Sequence, residues 1–198
     1  MDLAANRAEA PGAKAGASQR VFFALWPNAP TSASLTALTE RVASQAGGRA
    51  TPPERLHLTL AFVGNVDPAR LAILAQIGAQ LAAATPPFRL AFDRLGGFRD
   101  AEVAWLGLSP LPAALADLVR RLAAELDHAA FAVDRRPYRA HLTLARRCQR
   151  AARTGTVEPP LLWEVDAITL TASALSPQGP SYENLWRWLL AGAASDVR

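Results

Sequence analysis

A nine-residue pattern, Pro-x-Arg-x-His-Leu-Thr-Leu-Ala, occurs twice, once from Pro53 to Ala61 and once from Pro137 to Ala145. The copies lie 84 residues apart and hold two of the chain's three histidines. A pattern repeated at that distance marks a duplicated α/β unit, with two equivalent strands set around a pseudo-two-fold axis. Successive side chains of a strand point to opposite faces. His57 and Thr59 therefore project together, as do His141 and Thr143, while Leu58, Leu60, Leu142 and Leu144 enter the core. One such strand could be a half-exposed structural element. Two copies with the same polar face ask for another reason, because folding alone makes no demand there.

The residue types suggest that reason. Histidine titrates near neutrality, at a pKa of about 6.5, and so can act as base or acid. Cleaving a phosphodiester needs one of each, since an attacking oxygen loses a proton while the leaving oxygen on the far side of phosphorus gains one. Symmetry-related imidazoles suit that demand, and the threonine hydroxyls can donate hydrogen bonds to non-bridging phosphate oxygens. A catalytic zinc usually takes three protein ligands, and only His128 remains as a further imidazole. That residue follows an amphipathic helix beside Asp127 and reads as a helix-terminal surface residue. Arg55 and Arg139 precede the histidines by two. Arg146 stands five beyond His141, on the opposite face under strict alternation unless the strand ends or bulges.

Around the repeat, hydrophobic periodicity predicts a mixed order of strands and helices. Arg20–Trp26 reads as a buried strand. A helix begins near Thr31, which is available as its N-cap, carries Leu35, Leu38, Val42 and Ala46, and stops at Gly47-Gly48. A second opens at Asp67-Pro68 and runs toward Ala84. Phe88–Leu95 and Glu102–Leu108 form a hairpin, Leu115–Leu126 marks a third helix, and a polar loop runs from Cys148 to Glu158. Two terminal strands lie around Ile168–Leu170 and Leu185–Leu189.

Composition sets bounds without choosing a function. With 198 residues, 51% of them hydrophobic and 19% charged, the chain suits one globular domain over residues 19–198, after a tail at 1–18 that reads as disordered. The net charge of +4 permits a phosphate or nucleic-acid partner. No apolar run reaches the roughly 20 residues of a membrane span. The single cysteine, Cys148, excludes an intrachain disulfide and suits the cytoplasm. Neither a glycine-rich dinucleotide fingerprint nor a P-loop is present.

The pair His57-Leu-Thr-Leu60 and His141-Leu-Thr-Leu144 resembles the hallmark of the 2H phosphoesterase superfamily. Arg20–Ala24, Leu56–Gly64, Val103–Gly107 and Pro177–Tyr182 are similar to the bacterial and archaeal RNA 2′,3′-cyclic phosphodiesterases, also called 2′-5′ RNA ligases. The likeness spans about residues 19 to 190. It implies an α+β, bilobal, duplicated fold in which two antiparallel sheets face a central cleft, with helices outside and one His-x-Thr per lobe. It also implies opening of a 2′,3′-cyclic phosphate to a 2′-phosphate with no metal or nucleotide cofactor. Carried over by position, His57 is the proton donor and His141 the base that activates water, an order the pseudo-symmetry could reverse. Thr59, Thr143 and Arg146 bind phosphate, and Phe22 lines the cleft near the base.

The partner so implied is RNA with a 2′,3′-cyclic phosphate end or a small cyclic nucleotide, bound by a monomer. Running the reaction backwards with a 5′-hydroxyl as nucleophile gives 2′-5′ ligation, and other small cyclic phosphates are alternative substrates. A non-catalytic RNA-end binder belongs to another class. Phosphate grip alone is better served by Arg or Lys than by a histidine pair.

Overall fold

A computed structural model of the chain describes residues 18–176 and 179–192, so most of the expected tail lies outside the described residues. The order begins β1 (Gln19–Leu25), α1 (Ala29–Ala46), β2 (Arg49–Ala50), a 3-10 turn (Pro53–Arg55), β3 (Leu58–Val66) and α2 (Pro68–Ala83). It continues β4 (Phe88–Phe98), β5 (Val103–Gly107), α3 (Ala113–His128), β6 (His141–Arg146), β7 (Gly155–Val165), β8 (Ala167–Ser176) and β9 (Gly179–Leu189).

Sheet order is β7-β4-β5-β6-β3-β1-β8-β9, with β2 beside β6 and every pairing antiparallel. Read from the middle outwards, the order is the same in both directions. β6 corresponds to β3, β5 to β1, β4 to β8 and β7 to β9, which is the expected duplication. At the middle of this order, β3 and β6 pair through one residue pair, Leu58 with Leu142. These leucines are equivalent positions of the repeat, so the pseudo-two-fold axis passes between them. The two expected sheets are thus halves of one continuous ladder.

Local chemistry explains the helix limits. Asn28, not Thr31, caps α1: its Oδ1 accepts from the Thr31 backbone N–H at 3.1 Å, and Pro30 sits in the first turn. Thr31 is instead a buried helical residue. Gly47, at φ 61°, closes the helix in the left-handed region where glycine carries no steric penalty. Asp67 caps α2 as expected, its Oδ1 accepting from Ala69 N–H at 2.8 Å. α3 buries Leu115, Leu118, Leu122 and Leu126 and ends at His128, which is exposed as expected. α1 packs beneath β6 and α3 beneath β3, so each lobe's helix supports the other lobe's motif strand. Trp163, Phe23, Phe92, Leu58 and Leu142 lie in the resulting core.

β7 replaces part of the expected loop. It contains Pro159 and Pro160, but among the described residues it is an edge strand bonded only to β4, where a missing N–H is tolerated. The prolines fall in a register shift between two paired stretches. No helix among the described residues is long and apolar enough to cross a membrane.

Candidate active site

The Leu58–Leu142 pair fixes the site. In an antiparallel pairing, the residues on either side of that bridge set His57 beside Thr143 and His141 beside Thr59. Both leucines are fully buried, and the four polar side chains on the alternate face remain partly exposed. The expected quartet of two imidazoles and two hydroxyls therefore lies together at the pseudo-two-fold axis. The imidazoles are close enough for charge on His141 to lower the pKa of His57.

The two histidines share an orienting device that side-chain reasoning did not anticipate. His57 Nδ1 lies 2.8 Å from the carbonyl oxygen of Arg55, and His141 Nδ1 lies 2.8 Å from that of Arg139. A carbonyl has no proton to give, so Nδ1–H is the donor in both rings and Nε2 is the nitrogen left free. The strands do not extend back through the arginines. Residues 53–55 form a 3-10 turn, and the Arg55 guanidinium packs beside Gly179. Arg55 and Arg139 thus meet the histidines through their backbones.

Arg146 ends β6 and is exposed. Ala104 pairs with Ala145 but Trp105 with Thr143, so β6 carries one extra residue at Leu144–Ala145. Two consecutive buried residues result, and the slip returns Arg146 to the face of His141 and Thr143. Its charge also reaches His57 and lowers that pKa.

The surroundings of the two imidazoles differ. Trp26, Tyr182 and Phe22 enclose His57 with ring centroids at 4.9, 5.0 and 5.1 Å. Trp26 Nε1 donates to Thr171 Oγ1 at 3.2 Å, and Thr171 donates to Asn184 Oδ1 at 3.0 Å. Burial is the largest cause lowering the His57 pKa to about 4, with Arg146 and His141 adding to it and the Arg55 carbonyl opposing it. Among the described aromatic rings His141 meets only Phe98, edge-on at 5.3 Å, and it borders a cleft of about 670 Å³. Phe22 does stand beside His57, but it is only 2% exposed, so it presents little surface to a ligand. Trp26, Tyr182 and Phe98 were not singled out from the sequence. Their signal, an aromatic flanking a strand, is common to many cores.

Tyr138 ties the halves together: its hydroxyl donates to the Thr59 carbonyl at 2.9 Å, and burial pushes its pKa up. Among the described residues, no group of three His, Cys, Asp or Glu side chains converges as a metal site.

Comparison with known proteins finds relatives of the same fold over most of the chain. The family described as LigT like Phosphoesterase matches residues 25–105. The chain is 30% identical over 175 residues to the RNA 2′,3′-cyclic phosphodiesterase of Escherichia coli (strain K12), covering 87% of this chain and 97% of that protein. It is 31% identical over 181 residues to the protein of the same name from Thermus thermophilus, covering 87% and 91% respectively. The crystal structure of E. coli LigT in apo form superposes with a TM-score of 0.79 at 27% identity, covering 89% of this chain and 99% of that one. The same protein complexed with 3′-AMP gives 0.78 at 28% identity, covering 87% and 98%. The chain belongs to the LigT-like phosphoesterases of the 2H superfamily.

Proposed function

We propose that the chain hydrolyses RNA 2′,3′-cyclic phosphate ends to 2′-phosphates by acid/base catalysis between His57 and His141. The observation that carries this reading is the antiparallel pairing at Leu58–Leu142, which sets two His-x-Thr units face to face. Relatives over nearly the whole chain bear the name RNA 2′,3′-cyclic phosphodiesterase, and one related structure is a complex with 3′-AMP. One chain supplies both halves of the site, so a monomer suffices, folded as a single two-lobed domain over residues 19–198 and acting in the cytoplasm.

In this reading Nε2 of His141 takes a proton from water as its oxygen attacks phosphorus. The bond from phosphorus to the 3′ oxygen breaks, and His57 Nε2 gives that oxygen a proton. Thr59, Thr143 and Arg146 hold the non-bridging oxygens, where negative charge grows. His57 poses a condition. With a pKa of about 4 it is neutral in the free site at neutral pH, so it serves as donor only if the bound phosphate charges it.

The direct test is a short RNA ending in 2′,3′-cyclic phosphate, incubated in EDTA without ATP, with the product identified by its phosphate position. The expected product is the 2′-phosphate, formed at undiminished rate in EDTA. His57→Ala and His141→Ala should each lower turnover by about 10²–10⁴. Full activity in either variant would remove the histidine pair from the mechanism, and a 3′-phosphate would reverse the bond that breaks.

A further inference from the structure

His141 borders a cleft that extends beyond the two histidines and two threonines of the proposed reaction. Antiparallel register places Arg94 of β4, Gly107 of β5 and His141 of β6 in one row across three strands. Directly paired residues share a face, so Arg94 and His141 project to the same side with bare backbone between them. Two strand spacings separate their backbones by roughly 10 Å. The next row on that face is Gly96, Trp105 and Thr143.

The glycines seat the indole. A Cβ at Gly96 would lie 2.2 Å from the Trp105 ring, and one at Gly107 would lie 2.8 Å from it. Trp105 therefore lies low over β4, one side on glycine and the other lining the cleft, with Phe98 packed at 5.7 Å. Arg94 and Arg139 line the same cleft, and none of its lining residues among those described is acidic. Its volume of about 670 Å³ compares with about 30 Å³ for a water molecule and with the ~300–1,000 Å³ of small-molecule sites. His57 does not border it, being walled by Trp26, Tyr182 and Phe22. The cyclic-phosphate quartet thus has an aromatic wall on one side and an arginine-bearing stacking platform on the other.

We infer that the cleft beside His141 binds the nucleotide preceding the cyclic end, its base stacked on Trp105 and the linking phosphate held by Arg94. This rests on the phosphodiesterase reading and deepens it: the preferred substrate is an oligonucleotide end, not a cyclic mononucleotide. A flat indole accepts any base, so the preference is for length and not for sequence. Arginine at one end of the row complements the phosphate that a second nucleotide adds.

Purified full-length protein is assayed on adenosine 2′,3′-cyclic phosphate and on the ApA dinucleotide ending in 2′,3′-cyclic phosphate, and the ratio of the two kcat/KM values is taken. Stacking on one aromatic ring is expected to favour the dinucleotide by about tenfold. Arg94→Ala and Trp105→Leu should each reduce that ratio by about threefold or more, mainly through the dinucleotide KM. Arg94 is exposed, so its variant keeps the test informative if the tryptophan variant does not fold. A ratio near one in the unaltered protein, or one that survives Arg94→Ala, overturns the inference while leaving the phosphodiesterase reading intact. Hydrolysis of neither substrate would instead overturn that reading.

Discussion

Titrating a 2′,3′-cyclic nucleotide into the His141→Gln protein, which is expected to bind it but turn it over slowly, isolates the charge state of His57. Without ligand, burial and the neighbouring Arg146 hold His57 at a pKa of about 4, so about 1% of it is protonated at pH 6. The cyclic phosphate is a monoanion with no pKa of its own in this range. One unit charge about 4 Å from the imidazole, at an effective dielectric constant near 20, contributes about 4 kcal/mol, or about three pKa units. The bound His57 would then titrate near pH 7, and binding at pH 6 would take up about 0.9 proton. At about 6 Å the same arithmetic gives two units and about half a proton. Calorimetry in two buffers of different ionisation enthalpy measures this number directly. Uptake below about 0.1 proton would refute the reasoning, because His57 would then stay neutral beside the substrate and could serve only as the base. The roles of the two histidines would be exchanged.

Burial of neutral His57 also makes stability depend on pH. Its folded pKa of about 4 lies below the unfolded value of 6.5, so the unfolded chain binds the extra proton between these limits. The contribution is fully present above pH 6.5 and is lost as pH falls toward 4, amounting to about 3 kcal/mol. Urea midpoints at pH 7.5 and 4.5 should fall further in the unaltered protein than in His57→Gln, and equal losses would count against the buried-neutral assignment. Tyr138→Phe removes the hydroxyl that reaches the Thr59 carbonyl across the lobe boundary and should cost about 1 kcal/mol by urea denaturation. No measurable change would mean that this bond does not hold the lobes in register.

The repeat was legible because its polar positions repeat where packing does not require them, and strand alternation then put His57, Thr59, His141 and Thr143 on one face. The cap at Asp67 was legible for a similar reason, since Asp-Pro at a helix start satisfies the backbone and presets φ. Features decided by pairing were not. Asn28 takes the cap of α1 because Pro30 can enter the helix at its first turn, which moves the start back from Thr31. Pro159 and Pro160 mark a loop in isolation and become strand residues because β4 lies on one side of them and, among the described residues, no strand lies on the other. The phase slip that turns Arg146 toward the histidines depends on Trp105 pairing with Thr143, a relation between residues 38 apart. The carbonyls of Arg55 and Arg139 could not be foreseen from side-chain types.

Two equivalent histidines cannot by symmetry alone supply one acid and one base. Duplication gives His57 and His141 equivalent places in the repeat, the same carbonyl acceptor two residues earlier and so the same free nitrogen, Nε2. What separates them comes from residues outside the repeat. Trp26, Phe22 and Tyr182 remove water from one imidazole, whereas the other faces an open cleft. Burial disfavours the charged form of His57, and an arriving phosphate anion favours it, so its proton affinity changes most at the moment of binding. His141, against the open side, stands where water can reach it. The shared backbone therefore sets distance and direction, and the unshared aromatic wall decides which histidine answers to the substrate's charge.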